Sequence, residues 1–331
     1  MKDKIKTVQD VFIQKLKESL PPSIGIAEEL SELLGVSIDS AYRRIRGETD
    51  LSISEVHLIT KKYGISLDGV FSNLGDTVSF TYTKLTDSEA NFEKYLTRLF
   101  THLKALNSFP DKKLFYVAEE LPIFYSFFSK KLTEFKLFYW QRSVLNVPVH
   151  QSQKFEFGTV NKDLVELAHN CYKEYKKIPS LEIWTEKTIL TVTKQIEYYL
   201  ESGVFKNAKD AAELMQEVKK MADTVLESAE NSRKEKSDKE ETYQLYCSEV
   251  VLGTNCIYVK SGDFKHAYIS FNTMNSLTTN NSEFCDETEH WIKNIIRKST
   301  LISGAAEKQR YQFFSVLNKH IDESIKKIST F

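Results

Sequence analysis

Residues 25–47 read Gly25-Ile-Ala-Glu-Glu-Leu-Ser-Glu-Leu-Leu-Gly35-Val-Ser-Ile-Asp-Ser-Ala-Tyr-Arg-Arg-Ile-Arg-Gly47. Their spacing predicts a helix, a glycine turn and a second helix. Ile26, Leu30, Leu33 and Leu34 share one face of about residues 26–34, as an amphipathic helix of 3.6-residue period requires. Gly35 follows as a turn residue. Ser37 or Asp39 can cap the second helix, which runs to about Arg46 and is ended by Gly47. Ala41 and Ile45 are four apart and face the first helix, and a residue as small as Ala41 lets the two approach closely. Asp39, Ser40, Tyr42 and Arg43 then fall toward the outside, with Arg43, Arg44 and Arg46 along the same helix. A helix presented in this way fits the major groove of DNA. Its N-terminal half meets base edges and its arginines reach guanine or phosphate.

The flanking residues extend this pattern. Val8, Val11, Phe12, Leu16 and Leu20 predict a helix that Pro21-Pro22 stops. A helix after Ser52 or Ser54 carries Val56, Ile59 and Tyr63 up to Gly64, and Ser66 caps a last short turn, Leu67 to Phe71. Single helices this short are unstable alone, so only mutual packing holds them.

Together, Leu30, Leu34, the Gly35-Val36-Ser37 turn, Ala41, Arg43 and Gly47 resemble the helix-turn-helix of the phage-repressor-like, xenobiotic-response-element (XRE) class of bacterial regulators. The segment 52–64 and its exit, Lys61-Lys62-Tyr63-Gly64-Ile65-Ser66-Leu67-Asp68, resembles that family's fourth helix and following turn. The likeness covers about 65 residues, a fifth of the chain. It implies a five-helix, lambda-repressor-like DNA-binding domain over residues 1–73, with residues 38–46 as the recognition helix. On that resemblance Arg43, Arg44 and Arg46 contact DNA, Asp39, Ser40 and Tyr42 help choose bases, and Ser37 touches the backbone. Three positions depart from the family pattern. Ala27 stands where Gln is frequent, Ser31 where a small Ala is frequent, and Arg44 where an aromatic often ends the recognition helix.

Charge sets a further expectation. Residues 1–75 hold 10 Lys+Arg against 11 Asp+Glu. The positive groups must therefore cluster on one face, with Lys61 and Lys62 as further members. Few phosphate contacts per subunit mean weak binding by a monomer. That favours a homodimer on double-stranded DNA, reading half-sites about one helical turn apart, with dimerisation supplied by the C-terminal part.

The whole chain has 331 residues, 45 Lys+Arg and 46 Asp+Glu, a net charge of −1, so it is not a polybasic protein. Its 41% hydrophobic and 27% charged residues are ordinary globular composition. Residues 74–90 read as a linker, with Val78 to Tyr82 as a short strand. Residues 91–331 read as a larger α+β region, making the expected class mainly α overall. Helices are expected at about 90–107, 122–133, 161–177, 186–202, 207–231, 286–301 and 306–328. Leu114 to Ala118 and Phe135 to Tyr139 are apolar runs short enough for buried strands. Residues 228–242 read as an exposed connector. After it, segments 243–252, 255–260 and 266–271, broken at Gly253-Thr254 and Ser261-Gly262-Asp263, predict a short three-stranded antiparallel meander.

No catalytic signature accompanies these elements. There is no Gly-rich phosphate loop, and Ser303-Gly304-Ala305 has no predicted strand before it to make a nucleophile elbow. The seven histidines and four cysteines show no ligand spacing, so neither metal nor cofactor is expected. The aromatic run Phe115 to Trp140 reads as core, alternatively as the lining of an apolar pocket or a dimer surface. Helix 207–231 reads as an amphipathic core helix, alternatively as a pairing surface for a second subunit. Lys308, Arg310 and Tyr311 read as a solvated helix face, alternatively as a contact to an anionic ligand. Met1 to Asp10 has no apolar signal core, and Leu121 to Trp140 is broken by Lys130, Lys131, Glu134 and Lys136. A cytoplasmic protein without a membrane partner is therefore expected. The function expected is sequence-specific transcriptional regulation, with dimerisation and binding of a small-molecule or peptide ligand in the C-terminal region. The alternatives are an enzyme or effector module guided to DNA, and a protein-interaction module that binds none.

Overall fold

Capping residues mark the N-terminal helices. The computed structural model describes residues 7–20, 24–65, 67, 70, 77–85, 89–235 and 240–331. Helix α1 spans Val8–Ser19 and begins with a reciprocal cap: Asp10 N donates to Thr7 Oγ1 and Thr7 N to Asp10 Oδ2. Helix α2, Ile26–Leu34, ends at Gly35, whose φ of 64° is the left-handed conformation that favours glycine. Helix α3, Ile38–Ile45, starts on Ser37, which accepts from Ser40 N at 3.2 Å. Helix α4, Ile53–Tyr63, starts on a Ser52–Glu55 capping box. Phe12, Leu16, Leu30, Ala41 and Ile59 close one small core among these four helices. The expected fifth helix falls mainly on residues outside those described, although Leu67 and Val70 are helical and Val70 joins this core.

A seven-stranded mixed sheet organises the rest. Its strands are β1 Lys113–Val117, β2 Ser180–Trp184, β3 Tyr243–Ser248, β4 Cys256–Ser261, β5 Phe264–Phe271, β6 Asn275–Thr279 and β7 Ser299–Leu301. Their order is β6-β5-β4-β1-β2-β3-β7. The central pairs β1–β2 and β2–β3 are parallel and the other four are antiparallel. Parallel neighbours need helical crossovers. The first crossover holds a 3-10 turn at Ile123–Phe127, α6 Lys130–Tyr139, a π-helical turn at Trp140–Val144, the short α7 Pro148–Gln151 and α8 Lys162–Lys176. The second holds α9 Leu190–Glu201 and α10 Ala208–Asn231. Helices α5 Glu89–Ser108, α11 Ser282–Arg297 and α12 Glu307–Ile328 complete the body.

Strand alternation divides the apolar residues between two layers. Leu114 and Tyr116 of β1 join the large core with Trp184, Leu245 and Val259, packed by α5, α6, α8, α9, α10 and α12. Phe115 and Val117 join Leu181, Ile183, Tyr258 and Ala267 in a second core, which α11 covers with Cys285, Ile292 and Ile295. A strand covered on both faces reads as a continuous apolar run, which is why Leu114 to Ala118 was legible as one.

Several expectations are corrected by this architecture. Helix outweighs strand and combines with sheet as expected, but the sheet is a seven-stranded mixed one that extends beyond a short meander. The antiparallel meander is β4–β5–β6, whereas residues 243–248 pair in parallel with β2 and antiparallel with β7. Phe135 to Tyr139 is helical, and the expected helix 122–133 divides into the 3-10 turn and the start of α6. Ser129 causes that division, because its side chain caps Leu132 N. The helix expected at 286–301 runs earlier, since Asn281 caps it through Phe284 N and residues 299–301 join the sheet. Within the expected linker, Thr81 exchanges two backbone hydrogen bonds of 2.8 Å with Thr278 at the β6 edge. The expected exposed connector contains buried Ser232 and Lys234, whose ammonium donates to the Tyr175 and Ile178 carbonyls. Residues 236–239 lie outside the described residues.

Candidate nucleic-acid interface and an internal cavity

Ala41 is fully buried where α3 crosses α2, and Ile45 packs partly against the same core. That contact turns the opposite side of α3 to solvent. Ser37, Asp39, Tyr42, Arg43 and Arg46 are exposed and Ser40 is half-buried. Six of the seven expected DNA-contacting residues therefore share one accessible surface, which Ile38 also joins at 49% exposed.

Arg44 does not join them. Its side chain is 17% exposed and its Nη2 lies 2.8 Å from Glu55 Oε1, with Nε on the same oxygen at 3.0 Å and Nη1 on Ser40 O. It locks α3 to the start of α4. Ser31, another of the three noted departures, donates to Val36 O at 2.6 Å and steadies the turn.

Each remaining arginine also has a carboxylate. Arg43 Nε is 3.2 Å from Asp39, and Arg46 meets Glu48 through two hydrogen bonds of 2.6 and 3.0 Å. The two bonds hold Glu48 below the usual carboxylate range and raise Arg46. All four side chains are at least half exposed. Pairs this exposed are screened by solvent, so a phosphate or a guanine edge can replace either carboxylate at little cost. Lys62 is held by Glu29 at 2.9 Å, and Tyr63 donates to the same oxygen.

Sequence reasoning missed Gln9. From α1 its Nε2 donates to the carbonyls of Arg44 and Thr49, and its Oε1 accepts from Leu51 N. One side chain thus meets three backbone groups, one in the last turn of α3 and two in the loop after it. No local signal marks it, because its partners lie 35 to 42 residues away. Glu55 was findable, as Ser52-Ile-Ser-Glu55 is a capping-box sequence.

A cavity of about 760 Å³ lies between α5 and the sheet, bordered by the aromatic run and by Lys61 to Ile65 at the end of α4. That volume is in the range of small-molecule sites. Of the three readings of Phe115 to Trp140, core and cavity lining are found together, since most of the run is core while Tyr116, Phe124 and Trp140 also line the cavity. His266 lines it too. Burial pushes this imidazole down to about 4, so it is neutral at pH 7.

Several other polar groups in the body serve its packing. Buried Glu182 accepts from Tyr125 at 2.9 Å, Trp184 at 2.8 Å, Tyr243 at 3.3 Å and Tyr175. Burial raises its carboxyl above the ordinary value. Ser303 does follow a short strand, contrary to expectation, but its buried hydroxyl accepts from Leu245 N at 3.2 Å. Arg310 is buried against the carbonyls of Ile302 and Gly304 rather than solvated. Burial raises the Cys171 and Cys256 thiols to about 12. Among the described residues no His, Cys, Asp or Glu cluster is arranged for a metal ion, and no helix is long and apolar enough to cross a membrane. No protein-family model, no curated protein and no solved structure matches the chain.

Proposed function

We propose that the chain is a sequence-specific DNA-binding transcriptional regulator. Residues 1–73 act as the helix-turn-helix domain and the sheet-centred body serves dimerisation. The observation that carries this reading is the seating of α3. Ala41 is fully buried against α2, while Ser40, Tyr42, Arg43 and Arg46 stand on the opposite, accessible side. Arg43 and Arg46 supply bidentate donors for guanine or phosphate, and Asp39, Ser40 and Tyr42 supply base-edge contacts. Ser37 serves first as the helix cap, where its exposed hydroxyl also borders the DNA backbone. Arg44 acts in this scheme by holding the helix and not by touching DNA. Because residues 1–75 carry no net positive charge, useful affinity needs two copies on half-sites about 34 Å apart.

The test is selection from a random duplex pool, followed by fluorescence anisotropy at two salt concentrations. The expected result is a two-fold symmetric site whose binding by Arg43→Ala/Arg46→Ala is lost. Absence of any enriched sequence, with weak binding indifferent to both arginines, overturns the proposal.

A further inference from the structure

Among the described residues, buried charges are met by an opposite charge or by at least two hydrogen bonds, with one exception. Glu197 is 3% exposed and is met by Lys194, Lys327 and Ser324. Glu134 accepts from the backbone N–H groups of Gly158 and Val160. Glu182 has its ring of phenols, Arg310 its two carbonyls and Lys234 its two carbonyls. Lys136 on α6 is the exception. It is 8% exposed, yet its ammonium donates to a neutral amide, Gln195 Oε1, at 2.9 Å. It also lies 5.3 Å from the centre of the Trp140 ring. Glu120 acts on it only at a distance, without an ion pair. Burial lowers this ammonium to about 8, so it is still largely charged at pH 7. A buried ammonium without an anion is costly in an isolated fold.

Lys136 borders the 760 Å³ cavity. Lys61, Lys62 and Arg98 line the same space, against Glu120 as the single carboxylate in the described lining. The apolar wall comes from Leu99 on α5, Ile257 and Val259 on β4, and Tyr116, Phe124 and Trp140. The space thus combines an apolar wall with polar and cationic groups, and holds one buried ammonium without an ion pair.

We propose that this cavity binds a small amphipathic organic anion, an aromatic or aliphatic acid, with its acid group on Lys136 and its apolar body between α5 and the sheet. The binding stands apart from the DNA-binding reading, because it follows from the cavity and its charge alone. Only a role as the signal for regulation rests on that reading, through Lys61 to Ile65 on the cavity border.

The experiment uses the full chain and 8-anilinonaphthalene-1-sulfonate as a fluorescent aromatic anion. Decanoate, decan-1-ol and decylamine are the competitors. Saturable binding is expected, displaced by decanoate at least ten times better than by the alcohol or the amine. Lys136→Met, which keeps the stem and removes the charge, should weaken the probe about 10- to 100-fold, in line with loss of one charge-assisted contact. Ile257→Trp, which fills the space, should abolish saturable binding while the thermal unfolding curve stays cooperative. The proposal is overturned if the wild-type chain shows no saturable binding. It is equally overturned if the three competitors are equivalent, or if folded Lys136→Met binds as the wild type does. Should Lys136→Met fail to fold, the competitor series on the wild type decides alone.

Discussion

Arg44 and Arg43 are neighbours in sequence, yet the structure separates their roles, and substituting each in turn tests that separation. Arg44 makes two charge-assisted contacts to Glu55 at 2.8 and 3.0 Å and a third to Ser40 O, with both side chains 17% exposed. Hydrogen bonds to charged groups contribute about 1.5–3 kcal/mol when partly shielded, so Arg44→Ala should cost the domain about 2 kcal/mol. Glu55→Ala should cost slightly more, about 2–3 kcal/mol, because Glu55 Oε2 also accepts from Ser52 N in the capping box. The double variant should recover about 1 kcal/mol or more of the sum, the coupling expected of contacting residues. Arg43 is 59% exposed beside an Asp39 that is 73% exposed, and Arg43→Ala should stay within about 0.5 kcal/mol of wild type. Native-state hydrogen exchange reads this locally, at the amides of Ala41 and Val56, which donate to Ser37 O and Ser52 O. Protection should fall by more than about tenfold for Arg44→Ala and stay nearly unchanged for Arg43→Ala. DNA binding should show the converse, with Arg43→Ala lowering affinity and the salt slope by about one unit while the domain stays folded. Equal loss of protection in the two single variants, or a coupling near zero, would refute the assignment of Arg44 as the residue that holds α3.

Three further outcomes follow from the packing. Gln9→Ala should destabilise the N-terminal domain by about 1–3 kcal/mol, measured by the same exchange, because Thr49 O and Leu51 N lose this partner and Arg44 O keeps only backbone donors such as Gly47 N. Glu182→Leu should destabilise the body by about 3 kcal/mol or more in urea unfolding, since Tyr125, Tyr175, Tyr243 and Trp184 all lose their acceptor, and an unchanged midpoint would contradict it. Burial alone would raise Glu289, but hydrogen bonds from Lys260, Lys293 and Tyr258 outweigh it and bring the carboxyl down to about 2. A depressed folded value means stability present above about pH 4.5 and lost as pH falls toward 2, so Glu289→Gln should be less stable than wild type at pH 7 and indistinguishable near pH 2.

What sequence reasoning could reach depended on how far apart the interacting residues lie. The helix boundaries around Gly35, Ser37, Ser52 and Gly64 were legible because caps and left-handed glycines act within four residues of the atoms they satisfy. The outward set on α3 was legible for the same reason, since helical periodicity fixes which residues oppose Ala41. Gln9 was invisible, as was the partner of Arg44, because periodicity places a residue on a face without naming the element that will cover it.

The sequence by itself determined the local units: the short capped N-terminal helices, the buried run of β1, the long α10 and α12, and the exposed residues of α3. Each depends on torsional preference and a repeat of two or 3.6 residues, both written within one segment. The tertiary structure decided which strands are neighbours, and therefore that residues 243–248 lie beside β2 instead of entering the meander. It decided that Arg44 is a clamp, that Glu182 is enclosed by three phenols, and that Lys136 borders a cavity without a counter-ion. These outcomes arise from contacts between residues tens to hundreds of positions apart. Their energies depend on burial and on the partner's position, and neither quantity exists until the layers have packed.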